Sequence, residues 1–215
     1  MPIIALTFDD GPNTVVTPQV LDILEKEGIL ASFFLIAQNI TPESAAVARR
    51  AYDMGCDIEN HTLTHPFMNK MTVEEINQEV RACTEKIIGI TGEAPKFFRP
   101  PFIAVNREMY DNIDMTFICG VGCEDWVPEV TAEQRAERVL ASAADGQIVL
   151  LHDMQWNQAT VEALKTIIPE LKKRGYDFVT VPQLFERKNV TPRRGWLYTN
   201  VLQETSENRL RFRIN

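Results

Sequence analysis

Short apolar runs alternate with longer amphipathic segments from the start of the chain to about residue 187. The short runs, rich in Val, Ile and Phe, predict buried strands, and segments with apolar residues three and four positions apart predict helices. The predicted strands are Ile3–Phe8, Ala31–Ile36, 56–60, 115–122, 147–153 and 177–181. The predicted helices are Thr17–Glu27, 41–55, Thr72–Ile90, 131–144, 157–175 and 182–188.

Helix-start signals support two of these boundaries. Thr17 followed by Pro18 is typical of a cap and a first helical turn. Thr72 followed by Glu75 has the spacing of a capping box. Between the third and fourth helices, the stretch 96–102 ("KFFRPPF") is predicted to be extended, because residues before proline avoid the α region.

This β-then-α alternation continues without a linker or a low-complexity segment, and it predicts one parallel α/β domain over residues 1–187. About seven such units favour a closed or nearly closed barrel, here a distorted (β/α)7 barrel, over a small open sheet. Residues 188–215 break the alternation. We expect them to form a peripheral C-terminal tail, with Trp196 and Tyr198 packed back on the barrel.

Composition limits the possible partners and the compartment. The chain of 215 residues is 45% hydrophobic and carries a net charge of −8, which argues against nucleic acid or a membrane as the principal partner. The first residues lack the basic segment of a signal peptide, so we expect a cytoplasmic protein, although a trimmed form of a secreted parent would look the same. The four cysteines are scattered and predict reduced thiols rather than a zinc-ligand pattern. The sequence leaves the oligomeric state open.

Polar residues follow several predicted strands, and in parallel barrels the catalytic groups lie at that edge of the sheet. All three histidines of the chain fall there. The complete set is Asp9 and Asp10, His61 and His65, Arg99, Asp125, and His152 with Asp153.

The stretch "HTLTH" (61–65) places two imidazoles four residues apart, which lets both reach one metal ion. Two histidines on the surface, or two hydrogen-bonded histidines in the core, can have the same spacing. The spacing alone therefore does not distinguish a metal site from these alternatives. A carboxylate from elsewhere would complete a two-histidine, one-carboxylate site with open positions for water, as in hydrolytic metal sites.

The adjacent Asp9 and Asp10 end an apolar run, where two ionised carboxylates repel unless a cation compensates. One could bind the metal while the other acts as a general base, held by Arg99 through a charge-assisted hydrogen bond. The alternatives are a solvated turn for the aspartates and a surface ion pair for Arg99. His152 could be a satisfied core histidine, or an acid whose pKa a carboxylate such as Asp125 raises.

Five motifs in order carry a resemblance to a known family: "TFDDGP" (7–12), "HTLTH" (61–65), "FRPPF" (98–102), "EDW" (124–126) and "LLHD" (150–153). They resemble the motifs of the polysaccharide deacetylases, also called NodB-homology domains or family 4 carbohydrate esterases. The stretches "FRPP" and "CEDWVPEVTAEQRAERV" are most similar to the acetylxylan esterase branch. The resemblance covers about residues 3–187.

The resemblance implies a role for each matching residue. Asp9 corresponds to the catalytic base, Arg99 to the arginine that orients it, His152 to the general acid, and Asp125 to the carboxylate that tunes that acid. The implied metal ligands are Asp10, His61 and His65, holding one divalent ion: zinc, or cobalt, nickel or manganese. The implied substrate-contacting residues are Phe102, whose backbone N–H would stabilise an oxyanion, and Trp126 and Leu150, which would line the pocket for the acetyl methyl group.

Two departures from the family pattern bear on the substrate. Phe102-Ile103 stands where the family often has Tyr-Gly, and Val121-Gly122-Cys123 stands where it often has a further aspartate. We expect de-O-acetylation of xylan or xylo-oligosaccharides. The alternatives are N-deacetylation of chitin or peptidoglycan glucosamine, a non-catalytic sugar-binding or metal-storing relic, and a hydrolase of cyclic ureides.

Overall fold

A curled sheet of parallel strands forms the centre of the protein, and helices cover its outer face. The computed structural model describes residues 1–203. Within that range the strand order is β6-β7-β1-β2-β3-β4-β5-β9, with β8 paired to β1, and every pairing of the named strands is parallel. The prediction of a distorted (β/α)7 barrel is confirmed.

The bounds of the elements follow the predicted alternation. The strands are β1 (Ile3–Asp9), β2 (Ser32–Leu35), β3 (Asp57–Asn60), β4 (Phe97–Phe98), β5 (Thr116–Ile118), β6 (Val121–Gly122), β7 (Ile148–His152), β8 (Asp177–Phe178) and β9 (Leu197–Tyr198). The helices are α1 (Val16–Glu27), α2 (Pro42–Asp53), α3 (Val73–Thr91), α4 (Arg107–Asn112), α5 (Ala132–Ser142), α6 (Gln158–Lys173) and α7 (Val181–Arg187). None of these helices has the length and apolarity that a membrane crossing requires.

The core sits on both faces of the central strands. All seven residues of β1 are buried, because a parallel strand in the middle of such a sheet is covered on each side. Outside the sheet, α1 and α6 bury their apolar stripes against it. Inside the barrel, Phe34, Phe97 and Ile118 belong to a second apolar cluster.

Of the two helix starts that the sequence signals predict, the start of α3 is confirmed and the cap of α1 is different. The capping box between Thr72 and Glu75 opens α3 as predicted. The assignment of Thr17 as a cap is wrong, because Asn13 Oδ1 accepts the N–H groups of Val15, Val16 and Thr17 and starts α1 one residue earlier. The Thr17 hydroxyl instead donates to the carboxylate of Asp153.

Three predicted extended stretches are shorter or broken. The run 115–122 forms two strands with different neighbours, divided where Gly120 adopts φ 87°. The stretch 96–102 contains β4 but then turns into a 3-10 helix at Pro101–Ile103. The run 177–181 keeps only β8, because Val181 already belongs to α7.

The tail is less peripheral than expected where it is described. Tyr198 is buried in the inner cluster, Trp196 packs against that cluster, and β9 pairs with β5. Residues 199–201 then bond to the start of β7, through Thr199 O with Ile148 N–H at 3.0 Å and Val201 N–H with Gly146 O at 2.9 Å. The domain boundary at residue 187 stays a prediction, and residues 204–215 lie outside the described part.

Candidate active site

The carboxyl ends of the strands bring the predicted site residues to one edge of the sheet. Asp9 ends β1 and His152 ends β7, and the two residues are direct neighbours in the parallel register. Asp10 follows with φ 72°, in the left-handed region. His61 and Arg99 follow β3 and β4 in the same way.

Asp10, His61 and His65 offer three donor atoms that all lie within 4.8 Å of one another. Oδ1 of Asp10 is 3.4 Å from Nε2 of His61 and 3.7 Å from Nε2 of His65. Two donors that bind one zinc-like ion at about 2.1 Å lie roughly 3.4 Å apart in tetrahedral geometry. The same Oδ1 is buried without a hydrogen-bond partner, so this donor set fits a divalent cation.

The charge states of these groups favour metal binding. Burial raises the pKa of Asp10, but the close contact with His61 and the nearby rings of His152 and His65 outweigh that effect and lower the pKa to about 2. Burial and the neighbouring His61 lower the pKa of His65. An ionised carboxylate and a neutral imidazole are the forms that coordinate metals.

The imidazole of His61 is held in one tautomer. Its Nδ1–H donates a 2.6 Å hydrogen bond to the carbonyl oxygen of Arg99, because a carbonyl only accepts. Nε2 therefore carries the free lone pair and faces Asp10. A backbone carbonyl behind a metal-binding histidine is a common way to fix the ring orientation.

The loop that joins the two histidines is fixed by Glu79, which sequence reasoning missed. Its carboxylate accepts the N–H groups of Leu63 and Thr64 at 2.9 and 2.8 Å, and the Thr64 hydroxyl at 2.7 Å. The loop needs such support because Thr62 and His65 both have positive φ, 73° and 61°. A signal was present: Glu79 falls on the buried stripe of α3, at a position where an apolar residue is expected.

Asp9 and Arg99 form a buried ion pair. Nη1 of Arg99 donates to Oδ1 of Asp9 at 2.5 Å, and Arg99 is fully buried. The guanidinium also lies 4.1 Å from the ring centroid of Phe34, a cation–π contact. The alternative of a surface ion pair for Arg99 is therefore wrong.

His152 is paired with Asp125 on the other side of the cavity. Its Nδ1–H donates to Oδ1 of Asp125 at 2.8 Å, and its backbone N–H donates to Oδ2 at 2.7 Å. Burial alone lowers the pKa of His152, but the hydrogen bond and the negative charge of Asp125 raise it, to about 9. At neutral pH the ring is a protonated acid with Nε2–H available for donation.

A buried polar network behind Asp125 was also missed. Thr160 donates to Oδ2 of Asp125 at 2.9 Å, and Arg135 donates to both Thr160 and Asn157. Arg135 and Thr160 lie on the buried stripes of α5 and α6. A charged residue on an apolar stripe is the signal that points to such a network.

The remaining predicted residues surround a cavity of about 260 Å³. Of the residues to which the family resemblance gives a role, all line it except Arg99 and Asp125, which stand behind Asp9 and His152. Trp126 contacts His152 edge-to-face at 5.5 Å between ring centroids. Gly122 lies beneath Trp126, where a Cβ would approach the indole Cζ3 to 3.1 Å.

The stretch after the two prolines carries backbone strain at the cavity wall. Phe102 and the β-branched Ile103 have φ of 58° and 53°, a region that such side chains rarely adopt. The Phe102 ring stacks on Phe67 at 3.9 Å and meets His65 edge-on at 4.6 Å. Strain of this kind concentrates at functional sites.

A parallel barrel with a triad that fits a cation, a buried carboxylate and a protonated imidazole on one cavity is the arrangement of a hydrolase site. The sequence model of the family described as Polysaccharide deacetylase matches residues 1–118. A bifunctional xylanase/deacetylase from Pseudobutyrivibrio xylanivorans is 49% identical over 190 residues, which are 88% of this chain and 31% of that protein. The peptidoglycan-N-acetylglucosamine deacetylase PgdA of Listeria monocytogenes is 35% identical over 86% of this chain and 39% of its own length.

Solved structures agree with this relationship. The Xyl-CE4 domain of a multidomain xylanase from the hindgut metagenome of Trinervitermes trinervoides superposes with a TM-score of 0.92 at 45% identity, covering 94% of this chain and 99% of that one. A family 4 acetyl xylan esterase from Clostridium thermocellum, in complex with a cobalt ion, gives 0.89 at 40% identity, covering 94% and 100%.

The chain belongs to the polysaccharide deacetylase family of carbohydrate esterases, which are hydrolases. It spans about a third of the length of the first curated relatives that it matches.

Proposed function

We propose that this chain hydrolyses acetyl esters on xylan or xylo-oligosaccharides. One observation carries the proposal: two buried pairs, Asp9–Arg99 and His152–Asp125, face the same cavity as the triad of Asp10, His61 and His65. A base, an acid and a cation site on one cavity are the components that ester hydrolysis by water needs. The choice of xylan is supported by the identity to the xylanase/deacetylase and to the acetyl xylan esterase structure.

Asp10, His61 and His65 would hold the cation, which would polarise the acetyl carbonyl and acidify the attacking water. Zinc, cobalt, nickel and manganese all accept this set of oxygen and imidazole ligands. The two imidazoles are positioned by the Arg99 carbonyl and by the loop that Glu79 supports.

The proton transfers belong to the side chains. Asp9 takes a proton from the attacking water as the water oxygen bonds to the acetyl carbon, and Arg99 orients that carboxylate through a charge-assisted hydrogen bond. A tetrahedral oxyanion forms, and the backbone N–H of Phe102 stabilises it. His152 donates the proton on Nε2 to the sugar oxygen as the C–O bond breaks, and acetate and the sugar hydroxyl are released.

The apolar wall of the cavity suits an acetyl group. Trp126 and Leu150 both line it, and Gly122 leaves room for the indole beside Leu150. Burial of the acetyl methyl group in this pocket removes its apolar surface from water. This transfer favours binding of an acetyl group over binding of a charged substituent.

N-deacetylation of chitin or peptidoglycan glucosamine is the second candidate, supported by the 35% identity to PgdA. The same acid, base and cation serve an amide, although a departing amine needs stronger protonation by His152. The complete set of base, acid and ligands argues against a non-catalytic relic, and the Asp-His-His triad argues against a cyclic-ureide hydrolase.

The test is acetate release from acetylated xylo-oligosaccharides and from chitooligosaccharides, each with and without EDTA. We expect chelator-sensitive release that is stronger on the xylo-oligosaccharides. Release from chitooligosaccharides alone would overturn the xylan assignment, and full activity in EDTA would overturn the role of the cation.

A further inference from the structure

A second cavity of about 500 Å³ adjoins the metal triad. Asp10 and His65 line both cavities, so the triad separates this one from the apolar pocket of Trp126 and Leu150. We call it the polar groove and define it by Thr14, Gln38, Asn39, Thr41 and Gln155. Its volume is within the range of ligand sites, about 300–1,000 Å³.

The groove is lined by neutral hydrogen-bonding groups. Amides and hydroxyls dominate, and Pro12, Ile36 and Met154 add apolar surface between them. Among residues 1–203, no lysine or arginine lines it. Sugar units present hydroxyl groups at the edge of the ring and C–H groups on its faces, so this mixture suits an uncharged sugar.

The inner wall of the groove is fixed before any ligand arrives. Nδ2 of Asn39 donates to the backbone carbonyl of Asp10 at 2.8 Å, and the Ser44 hydroxyl donates to the carbonyl of Asn39 at 2.6 Å. The groove is therefore tied to the same backbone that positions the metal-binding carboxylate. A pre-formed wall binds a ligand without an added cost of ordering.

The rim of the groove carries two exposed amides, Gln38 and Gln155. Within residues 1–203, neither side-chain amide has a protein hydrogen-bond partner. Gln38 follows β2 and Gln155 follows β7, so the two come from well-separated parts of the chain. Each can donate to one sugar hydroxyl and accept from another.

We propose that the polar groove is a subsite for the uncharged sugar unit next to the acetylated one, with Gln38 and Gln155 binding its hydroxyl groups. This subsite rests on the proposed function, because the acetyl group must occupy the apolar pocket while the rest of the oligosaccharide crosses the triad. Among the described residues that line the groove none is a lysine or arginine that could pair with a carboxylate, and the net charge of −8 also disfavours an oligosaccharide that carries carboxylates at this position.

The first test compares substrates of two lengths. Wild type and the double variant Gln38→Ala/Gln155→Ala are assayed with acetylated xylotetraose and with acetylated xylose. Each lost hydrogen bond between neutral groups weakens binding about 2- to 10-fold, so we expect the ratio of the two kcat/KM values to fall about tenfold, mainly through KM for the tetraose. The matched control is Gln158→Ala, which removes an exposed amide that pairs with Gln19 and does not line the groove. A double variant with the wild-type ratio overturns the subsite.

A second measurement is independent of catalysis. Calorimetric titration with unacetylated xylotetraose should show about tenfold weaker binding to the double variant than to Gln158→Ala. Equal binding by the two proteins overturns the subsite even if acetate release is normal. Absence of acetate release from every ester, together with weakened xylotetraose binding in the double variant, would overturn the proposed reaction and leave the subsite standing. A third titration uses xylotetraose bearing a uronic acid; equal or tighter binding of this anionic ligand overturns the assignment of an uncharged sugar.

Discussion

The carboxylate of Asp9 accepts a 2.5 Å hydrogen bond from Arg99, and both side chains are buried. Its neighbour Asp10 instead points Oδ1 at two imidazoles. Two adjacent carboxylates are therefore compensated by different partners, one by a guanidinium and the other by the site that fits a cation. This division gives the two aspartates separable roles.

Replacing each aspartate by asparagine should separate those roles. Asp9→Asn removes the proton acceptor, so we expect kcat to fall by about 10²- to 10⁴-fold while the bound metal remains. Asp10→Asn removes a ligand charge and should lose the metal. Acetate release and metal content by mass spectrometry, measured on the same samples, check both. An Asp9→Asn protein without metal, or an Asp10→Asn protein with full metal, would contradict the assignment.

The alkaline limb of the pH profile should depend on Asp125. His152 must be protonated to act as an acid, so activity should fall as the pH rises through its pKa, about 9 in this structure. In Asp125→Asn the negative charge that raises the pKa of His152 is lost, and a hydrogen bond to a neutral amide oxygen stabilises the imidazolium less, while burial remains, so the pKa falls and the alkaline limb moves to lower pH. The measurement is kcat/KM from pH 6 to 10.

The matched control for that profile is Glu124→Gln, which neutralises the adjacent exposed carboxylate that pairs with Arg138. We expect the control to keep the wild-type alkaline limb. An Asp125→Asn profile that overlays the wild type would mean that another group sets this limb.

Glu79→Gln should weaken metal binding although Glu79 touches no metal ligand atom. The amide cannot accept all three hydrogen bonds that the carboxylate takes from Leu63 and Thr64, so the loop between His61 and His65 loosens. Changes behind metal ligands typically cost about 10- to 100-fold in affinity. Competition with a chelator measures this affinity. Glu75→Gln, the same change in the capping box of α3, should leave the affinity near that of the wild type, and an equal loss in both variants would contradict a specific role for Glu79.

At the opposite end of β3, Asp57 should make stability depend on pH. Burial raises the pKa of Asp57 from 3.8 to about 6, and the nearby Glu59 is also buried. A carboxyl whose pKa is raised in the folded state contributes stability at low pH that is lost as the pH rises from about 4 through about 6. Asp57→Asn cannot ionise, so its melting temperature should exceed that of the wild type at pH 8 and approach it at pH 4. A constant difference between the two proteins across this range would contradict the account.

The alternation of strands and helices could be predicted from the sequence because each element carries its own periodicity. The apolar run of β1 and the capping box at Thr72 depend only on residues that are close in the chain, so they can be recognised without the tertiary structure. The site residues could be placed together for a related reason, since parallel strands bring their carboxyl ends to one edge. The motifs at those strand ends then supplied the chemistry.

Short elements could not be predicted, since their stability comes from neighbours rather than from their own residues. The two-residue strand β9 exists because Tyr198 packs in the inner cluster and its backbone pairs with β5. The six-residue helix α4 is too short to show a period.

What the sequence determined by itself is therefore the order of elements and the set of ionisable groups at the strand ends. Tertiary structure alone decided two pairings that the sequence did not indicate: Arg135 with the residues around Asp125, and Glu79 with the loop between the histidines. The physical reason is that hydrogen bonds and ion pairs act over a few ångströms, and the fold sets these distances between residues that are far apart in the chain.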